Sequence, residues 1–413
     1  MSTQKFFPKP AIRQRLYVGP LATHIDTFAE RLTAQGYASS TAREKCRLVA
    51  KLSHWLDRRK LAGDSLNEQR IGQFLSYRSR QGLADRSNAA TCWSLLAHLR
   101  EIGCIPPMPA VSGGSAFDAI EHDYARYLSQ ERGLAPATLL KYLPISRGFL
   151  TERFGANTLK LDELSPQDAN KFILRHVHMV SPGQAKLIVT ALRSFLRYLL
   201  QHGHVGMDLA GAVPSVANWR FANVPIALAA EQVERLLDSC DQSTAAGQRD
   251  YAVLLLLARL GLRAGEVVAM TLDDFQWERG VLIIRGKGLR HETLPIPQDV
   301  GDALVSYLRW GRPCCVTRRV FVRLKAPYQG FSSSVAICDI VRRALARTGL
   351  DPASKGAHLL RHSLATQMLR HGASLSEIGD ILRHRHPHTT QIYAKVDVIA
   401  LRALAEPWPG GAA

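Results

Sequence analysis

Long apolar runs are missing from this 413-residue chain: the longest, Ala252-Val-Leu-Leu-Leu-Leu-Ala258, stops at Arg259 and falls far short of the roughly 20 residues that a bilayer-spanning helix needs. No membrane partner is expected. Met1 to Pro20 carries Lys5, Lys9, Arg13, Arg15 and three prolines around no apolar core, so it does not read as a signal peptide, and a cytoplasmic location is expected. Cysteine is sparse and odd in number, seven residues with no Cys-x-x-Cys pair. That argues against a disulfide framework or a cysteine zinc site. Acidic residues are also scarce, with 35 Asp plus Glu against 53 Lys plus Arg, a net charge of +18. At 46% hydrophobic residues the chain is globular rather than disordered. Such a surplus suits a polyanion, and without a membrane segment that partner is nucleic acid.

Proline and glycine punctuate what remains. Pro106-Pro107-Met108-Pro109 with Gly113-Gly114 ends one block, and Val213-Pro214 through Val224-Pro225 separates a second from a third. The expected organisation is a basic N-terminal tail (1–20), a helical module (21–110), a second helical module (115–212), a linker (213–224), a larger domain (225–405) and a C-terminal tail (406–413). The two helical modules share punctuation. Gly36-Tyr-Ala-Ser-Ser-Thr41 resembles Gly133-Leu-Ala-Pro-Ala-Thr138, and Leu66 stands eight residues before Phe74 as Leu164 stands eight before Phe172. The first module reads as a possible divergent copy of the second. In the second, Leu187, Val189, Leu192, Phe195, Leu196 and Leu199 recur at helical intervals, with Lys186, Arg193 and Arg197 on other faces as candidate contacts to a DNA backbone.

The third block mixes element types. Ala229–Cys240 and Gln248–Leu260 read as helices, Val281–Ile284 as a short strand, and Glu292–Ile296 as its return, with Lys287 and Arg290 in the connecting turn. From Ser333 onward the pattern is helical again.

Four features of this block occur in a telling order: Arg263 in Gly-Leu-Arg-Ala-Gly-Glu, Lys287 on the hairpin, His358-Leu-Leu-Arg361-His362, and Leu382-Arg-His384 followed nine residues on by Tyr393. Two arginines, two histidines, a lysine and a tyrosine can together clamp a phosphate, supply a nucleophile and protonate a leaving alkoxide without metal or ATP. In order, number and spacing the set resembles the tyrosine recombinase, or phage integrase, family over roughly residues 115–405. The resemblance implies a mainly α fold with a small β-sheet, in which helical SAM-like core-binding modules precede a mixed α/β tyrosine recombinase catalytic domain.

It further implies that Arg263 and Arg361 hold the scissile phosphate, that Tyr393 attacks it to form a covalent 3′-phosphotyrosine, and that Lys287 is the general acid for the 5′-hydroxyl. His358 is implied as acid/base partner of the tyrosine and His384 as a donor to the phosphate. Glu266 would orient the site from behind, and His362 would buttress it. No cofactor is implied. The implied partners are double-stranded DNA, further copies of the chain in a synaptic tetramer, and related recombinases or accessory DNA-bending proteins, which would place the protein at the nucleoid.

One departure from the family pattern is Arg383, where a glycine is usual before His384. With Arg290 and Arg385 it joins the candidate DNA contacts. A zinc site is weighed because His358 and His362 are four apart and His384, His386 and His388 alternate, but the helix pair lacks the Glu of His-Glu-x-x-His. The expected function is therefore site-specific recombination or integration, as in a mobile element. Type IB topoisomerase-like relaxation and a catalytically silent DNA-binding architectural role are the alternatives.

Overall fold

The computed structural model describes residues 6–83, 86–106, 115–155, 159–216, 224–286, 291–396 and 401. The chain forms two compact units, one made of residues 108–222 and the other of 1–107 together with 223–413.

Among the described residues the first part of the larger unit holds helices α1 (Pro10–Leu16), α2 (Ile25–Ala34), α3 (Ser39–Arg58), α4 (Glu68–Arg80) and α5 (Arg86–Glu101). Their apolar faces meet in a core of Phe28, Leu32, Leu52, Leu56, Phe74 and Leu95, all at most 1% exposed. The expected N-terminal tail is corrected here. Phe6, Phe7 and Leu16 are buried in this same core, because three large apolar side chains gain more from burial than from solvent.

The remainder of the larger unit is built around α11 (Ala245–Arg259), which follows α10 (Ala230–Asp238). The sequence's longest apolar run is the middle of α11, and it is buried on every side, as expected of a helix hydrophobic all round. Next come α12 (Ala264–Ala269) and a three-stranded antiparallel sheet in the order β1 (Phe275–Gln276), β2 (Val281–Arg285), β3 (His291–Pro295). Leu282 and Ile284 point inward from β2, in the alternation of a half-buried strand. Helices α13 (Gln298–Ser306), α14 (Val335–Thr348), α15 (His358–Arg370) and α16 (Leu375–Ile381) complete it.

Within this unit the first part touches the α/β part. The Tyr328 N–H donates to Gln35 O at 2.9 Å. At Gly36, with φ +80°, a Cβ would come within 2.2 Å of the Tyr328 ring. Only glycine fits that contact and that backbone. The expected division into separate first and third domains therefore does not match the compact units, because this contact and its neighbours join them.

The smaller unit holds α6 (Ala116–Arg126), α7 (Pro136–Phe154), α8 (Pro166–Val177) and α9 (Pro182–Gln201). Proline opens α7, α8 and α9 at their first position, where its missing N–H is no loss. Tyr124, Phe149, Phe195, Leu196 and Leu199 fill its core. Its order of elements, helix, helix, 3₁₀ turn (Leu161–Glu163), helix, helix, repeats that of α2, α3, the 3₁₀ turn Gly63–Ser65, α4 and α5.

Candidate active site

The site is assembled from four stretches of the larger unit. Leu262 leads into Arg263, whose extended backbone precedes α12. Glu266, one turn on, reaches back: its Oε2 accepts from the Arg263 N–H at 2.8 Å and its Oε1 accepts from Arg263 Nη1 at 2.7 Å. Burial pushes the Glu266 carboxyl up, but the Arg263 N–H, the Arg383 charge and the Arg263 side chain together hold it below the usual carboxylate value. It is an anion behind a cation.

Helix α15 supplies His358, Arg361 and His362. Arg361 is only 3% exposed, and its two terminal nitrogens donate to Gly261 O and Leu382 O. Burial, with the charges of Arg263 and Arg383, lowers its pKa to about 10. It stays a cation at neutral pH, and each terminal nitrogen keeps a second hydrogen to offer. Gly261 has φ +56°, and a Cβ there would meet Leu382 at 2.6 Å. That close approach brings the two carbonyls within reach of one guanidinium.

Past α16 the chain turns through Leu382 and Arg383 into His384. Arg263 Nη2 donates to Arg383 O at 3.1 Å, so successive carbonyls of one turn hold the two arginines. His384 Nδ1 lies 2.7 Å from Thr390 Oγ1; when the threonine hydroxyl donates, Nε2 carries the ring proton. Burial, then Arg361 and Arg263, lower the His384 pKa to about 4.

Tyr393 sits in the 3₁₀ segment Gln391–Val396 and is 1% exposed. Its ring lies parallel to His384, with centroids 6.5 Å apart, and edge-on to His362 at 5.6 Å. Burial raises its hydroxyl to about 12, against the opposing charge of Arg361. The hydroxyl meets His362 Nδ1 at 2.9 Å. The ring against the tyrosine hydroxyl is thus His362 and not His358, the partner expected from the sequence. The two histidines are one helical turn apart with centroids at 6.2 Å, and the second is the one in register with the tyrosine. Burial, then His358 and Arg361, lower the His362 pKa to about 4; it is neutral at pH 7, and with its ring proton on Nε2 its Nδ1 accepts from the tyrosine hydroxyl. His358 stands at the exposed start of α15, its pKa lowered by partial burial and by Arg361 and Arg263.

Other expected residues fall elsewhere. Lys287 and Arg290 lie outside the described residues. Arg383 is corrected as a surface DNA contact: its side chain is 4% exposed and pairs with Glu266 at 2.9 Å, because the turn directs it inward. Arg385 is exposed. In the smaller unit Lys186 and Arg197 are exposed, whereas Arg193 donates to Val213 O and Ser215 Oγ at 2.7 and 3.0 Å. Arg193 is corrected to a residue that anchors the chain leaving α9. His386 and His388 stack at 5.6 Å, and among the described residues no three metal-ligating side chains gather. Reading the sequence missed Thr390 and the carbonyls of Leu382 and Arg383, since a backbone acceptor leaves no signature in residue type.

A half-buried and a fully buried arginine thus lie beside histidines and a tyrosine hydroxyl in contact with one of them, side chains that can together clamp a phosphate next to a nucleophile. Comparison with known proteins agrees. The phage integrase family matches residues 227–398. The chain is 44% identical over 396 residues to a putative integrase/recombinase, y4rA, of Sinorhizobium fredii, covering 95% of this chain and 96% of that one. It is 30% identical over 287 residues to the tyrosine recombinase XerD of Listeria innocua, covering 68% and 95%. Among solved structures, the site-specific recombinase XerH bound to palindromic difH matches with a TM-score of 0.55 at 19% identity, over 81% of this chain and 93% of that one. A lambda integrase tetramer bound to a Holliday junction matches at 0.52 and 16% identity, over 75% and 87%. This chain belongs to the phage integrase family of tyrosine recombinases, enzymes of DNA strand exchange.

Proposed function

We propose that this recombinase cleaves one strand of a specific DNA site through Tyr393, leaving a 3′-phosphotyrosine and a free 5′-hydroxyl, and rejoins it to a partner strand. The observation that carries this assignment is the Tyr393 hydroxyl held by a neutral histidine beside two arginines that share one turn. Arg263 and Arg361 neutralise the charge that grows on the non-bridging oxygens. His362 accepts the tyrosine proton as the hydroxyl attacks, and His384 donates to a phosphate oxygen. His358, at the exposed rim, is a further hydrogen-bond donor to the phosphate. Lys287, between β2 and β3 in the sequence, protonates the 5′-oxygen. The phosphotyrosine conserves bond energy, and a second 5′-hydroxyl reverses the step without ATP.

The biological setting in this reading is a mobile element acting in the cytoplasm at the nucleoid. Four copies assemble on two duplexes, with related recombinases or DNA-bending proteins as further partners. The 115–212 module is a core-binding domain, with Lys186 and Arg197 facing phosphates, and the first module is its divergent copy. That first module also takes a DNA role. Residues 6–106 hold 16 Lys plus Arg against 8 Asp plus Glu, whereas 115–212 hold 11 against 9. Arg43, Arg47, Lys51 and Arg58, all exposed, fall on α3 within an arc of about 80° and over about 22 Å. That is a length of phosphate backbone rather than a point contact.

A pool of nicked suicide duplexes with randomised cores tests the chemistry. Wild-type protein should become covalently joined to a subset that sequencing identifies, and Tyr393→Phe to none. Failure of the wild type to form any adduct, or adducts in Tyr393→Phe, would overturn the assignment. Joining between two duplexes, rather than relaxation of a supercoiled circle, separates recombinase from topoisomerase.

A further inference from the structure

We propose that Arg383 is a positioning residue for strand cleavage: its guanidinium links Glu266, behind Arg263, to Glu292 on β3, and so aligns the β2–β3 hairpin with the arginine pair. The proposal rests on the reading of the site given above and adds a residue to it.

Arg383 occupies a conformation that works against an ordinary side chain. Its φ is +56°, in the left-handed region that L-residues other than glycine rarely adopt. The side chain is nevertheless inside, 4% exposed. A cation held so deeply needs several partners. Nη2 donates to Glu266 Oε2 at 2.9 Å, and Nη1 to Ile381 O and Leu260 O at 3.2 and 3.4 Å. Among the described residues Nε has no hydrogen-bond partner, and Glu292 Oε2 stands 3.6 Å from it on a side chain that is 44% exposed. The last contact is loose and adjustable, while the others are fixed.

Two consequences bear on the reaction. Glu266 divides its charge between Arg263 and Arg383, so Arg263, whose side chain is 40% exposed, is held less tightly than it would be as sole partner of a buried carboxylate. It can turn toward a phosphate. The left-handed turn also aims Leu382 O at Arg361 and Arg383 O at Arg263, which sets the spacing of the clamp. Through Glu292 the same guanidinium reaches β3, the strand that follows Lys287 in the sequence. Misalignment of about 1 Å in such a set costs as much as a hundredfold in rate.

Three variants test this: Arg383→Gly, which suits the positive φ and deletes only the side chain; Arg383→Lys, which keeps the charge without the fork; and Glu292→Gln, at a half-exposed position that does not endanger folding. On a nicked duplex recovered with wild-type protein, Arg383→Gly should slow single-turnover adduct formation roughly tenfold or more. DNA Kd should stay within about twofold. Lysine should restore part of the rate. Glu292→Gln should slow the wild type by about threefold and have no effect in the Arg383→Gly background, the signature of a shared contact. In the free protein, hydrogen exchange at the His291–Thr293 amides should rise to the same extent in Arg383→Gly and Glu292→Gln. Rates equal to wild type in Arg383→Gly, additive effects of the two changes, or unchanged exchange in Glu292→Gln would overturn the proposal. If wild-type protein forms no adduct at all, the catalytic assignment fails instead. The exchange comparison, made without DNA, still decides whether Arg383 ties β3 to the site.

Discussion

His362 Nδ1 and Tyr393 Oη are 2.9 Å apart across 31 residues of sequence. The contact joins the buried Tyr393 hydroxyl to a ring that is neutral at pH 7. In the proposed reaction this contact puts a base beside the tyrosine hydroxyl before DNA arrives. His362→Ala is expected to reduce single-turnover cleavage by about 10²-fold, the usual lower range for a general base, with DNA affinity unchanged. A time course of covalent adduct formation checks this, and the same experiment on His358→Ala should show the smaller loss for attack.

Two arginines with similar roles should differ in what their removal does to the fold. Arg361 is buried and carries two backbone carbonyls, so Arg361→Ala should cost about 2–4 kcal/mol in denaturant melts as well as abolish cleavage. Arg263, with a side chain 40% exposed, should cost under about 1 kcal/mol on truncation. Its cleavage should still fall by at least about 10²-fold, as for loss of an oxyanion donor.

The depressed histidines make stability depend on pH in one direction. His362 and His384 fall from the ordinary 6.5 to about 4, so the unfolded chain binds protons that the folded chain refuses. Nothing is lost above 6.5; as pH falls from 6.5 toward 4 the folded state loses stability. The Tm should drop through that window, and His362→Asn and His384→Asn should each flatten the drop. Differential scanning calorimetry at half-unit steps, read as wild type minus variant, separates this from carboxylate titration at lower pH.

The basic stripe on α3 predicts a salt effect confined to DNA long enough to reach the first module. Arg43, Arg47, Lys51 and Arg58 changed together to Gln should reduce the slope of log K against log salt by about 3–4, close to one per lost phosphate contact. Affinity for a minimal core duplex should not change. Fluorescence anisotropy at four salt concentrations provides the slope.

Gly36 predicts how firmly the first module is joined to the α/β part. A side chain there faces both a left-handed φ of +80° and the Tyr328 ring. Gly36→Val should cost about 1–2 kcal/mol for the backbone alone and expose the 323–330 segment to limited proteolysis.

Much of the fold was legible locally. The helices around Leu192 and Val253 and the hairpin of Val281 to Ile296 follow from apolar period and turn residues within a dozen positions. The order Arg263, Lys287, His358, Arg361, His384, Tyr393 was visible because residue type and spacing along the chain are one-dimensional facts.

By itself, then, the sequence determined the set of residues: arginines, histidines, a lysine and a tyrosine in the order of a tyrosine recombinase, on a basic, mostly helical chain. Only the tertiary structure decided which histidine meets the tyrosine. His358 and His362 lie on the same face of α15, one turn apart, and helical periodicity cannot rank them. It also turned Arg383 inward onto Glu266, 117 residues away, and drew Phe6 and Phe7 from an expected tail into a core. Each of these depends on a contact between distant segments, whose energy comes from packing and charge burial that no local pattern encodes.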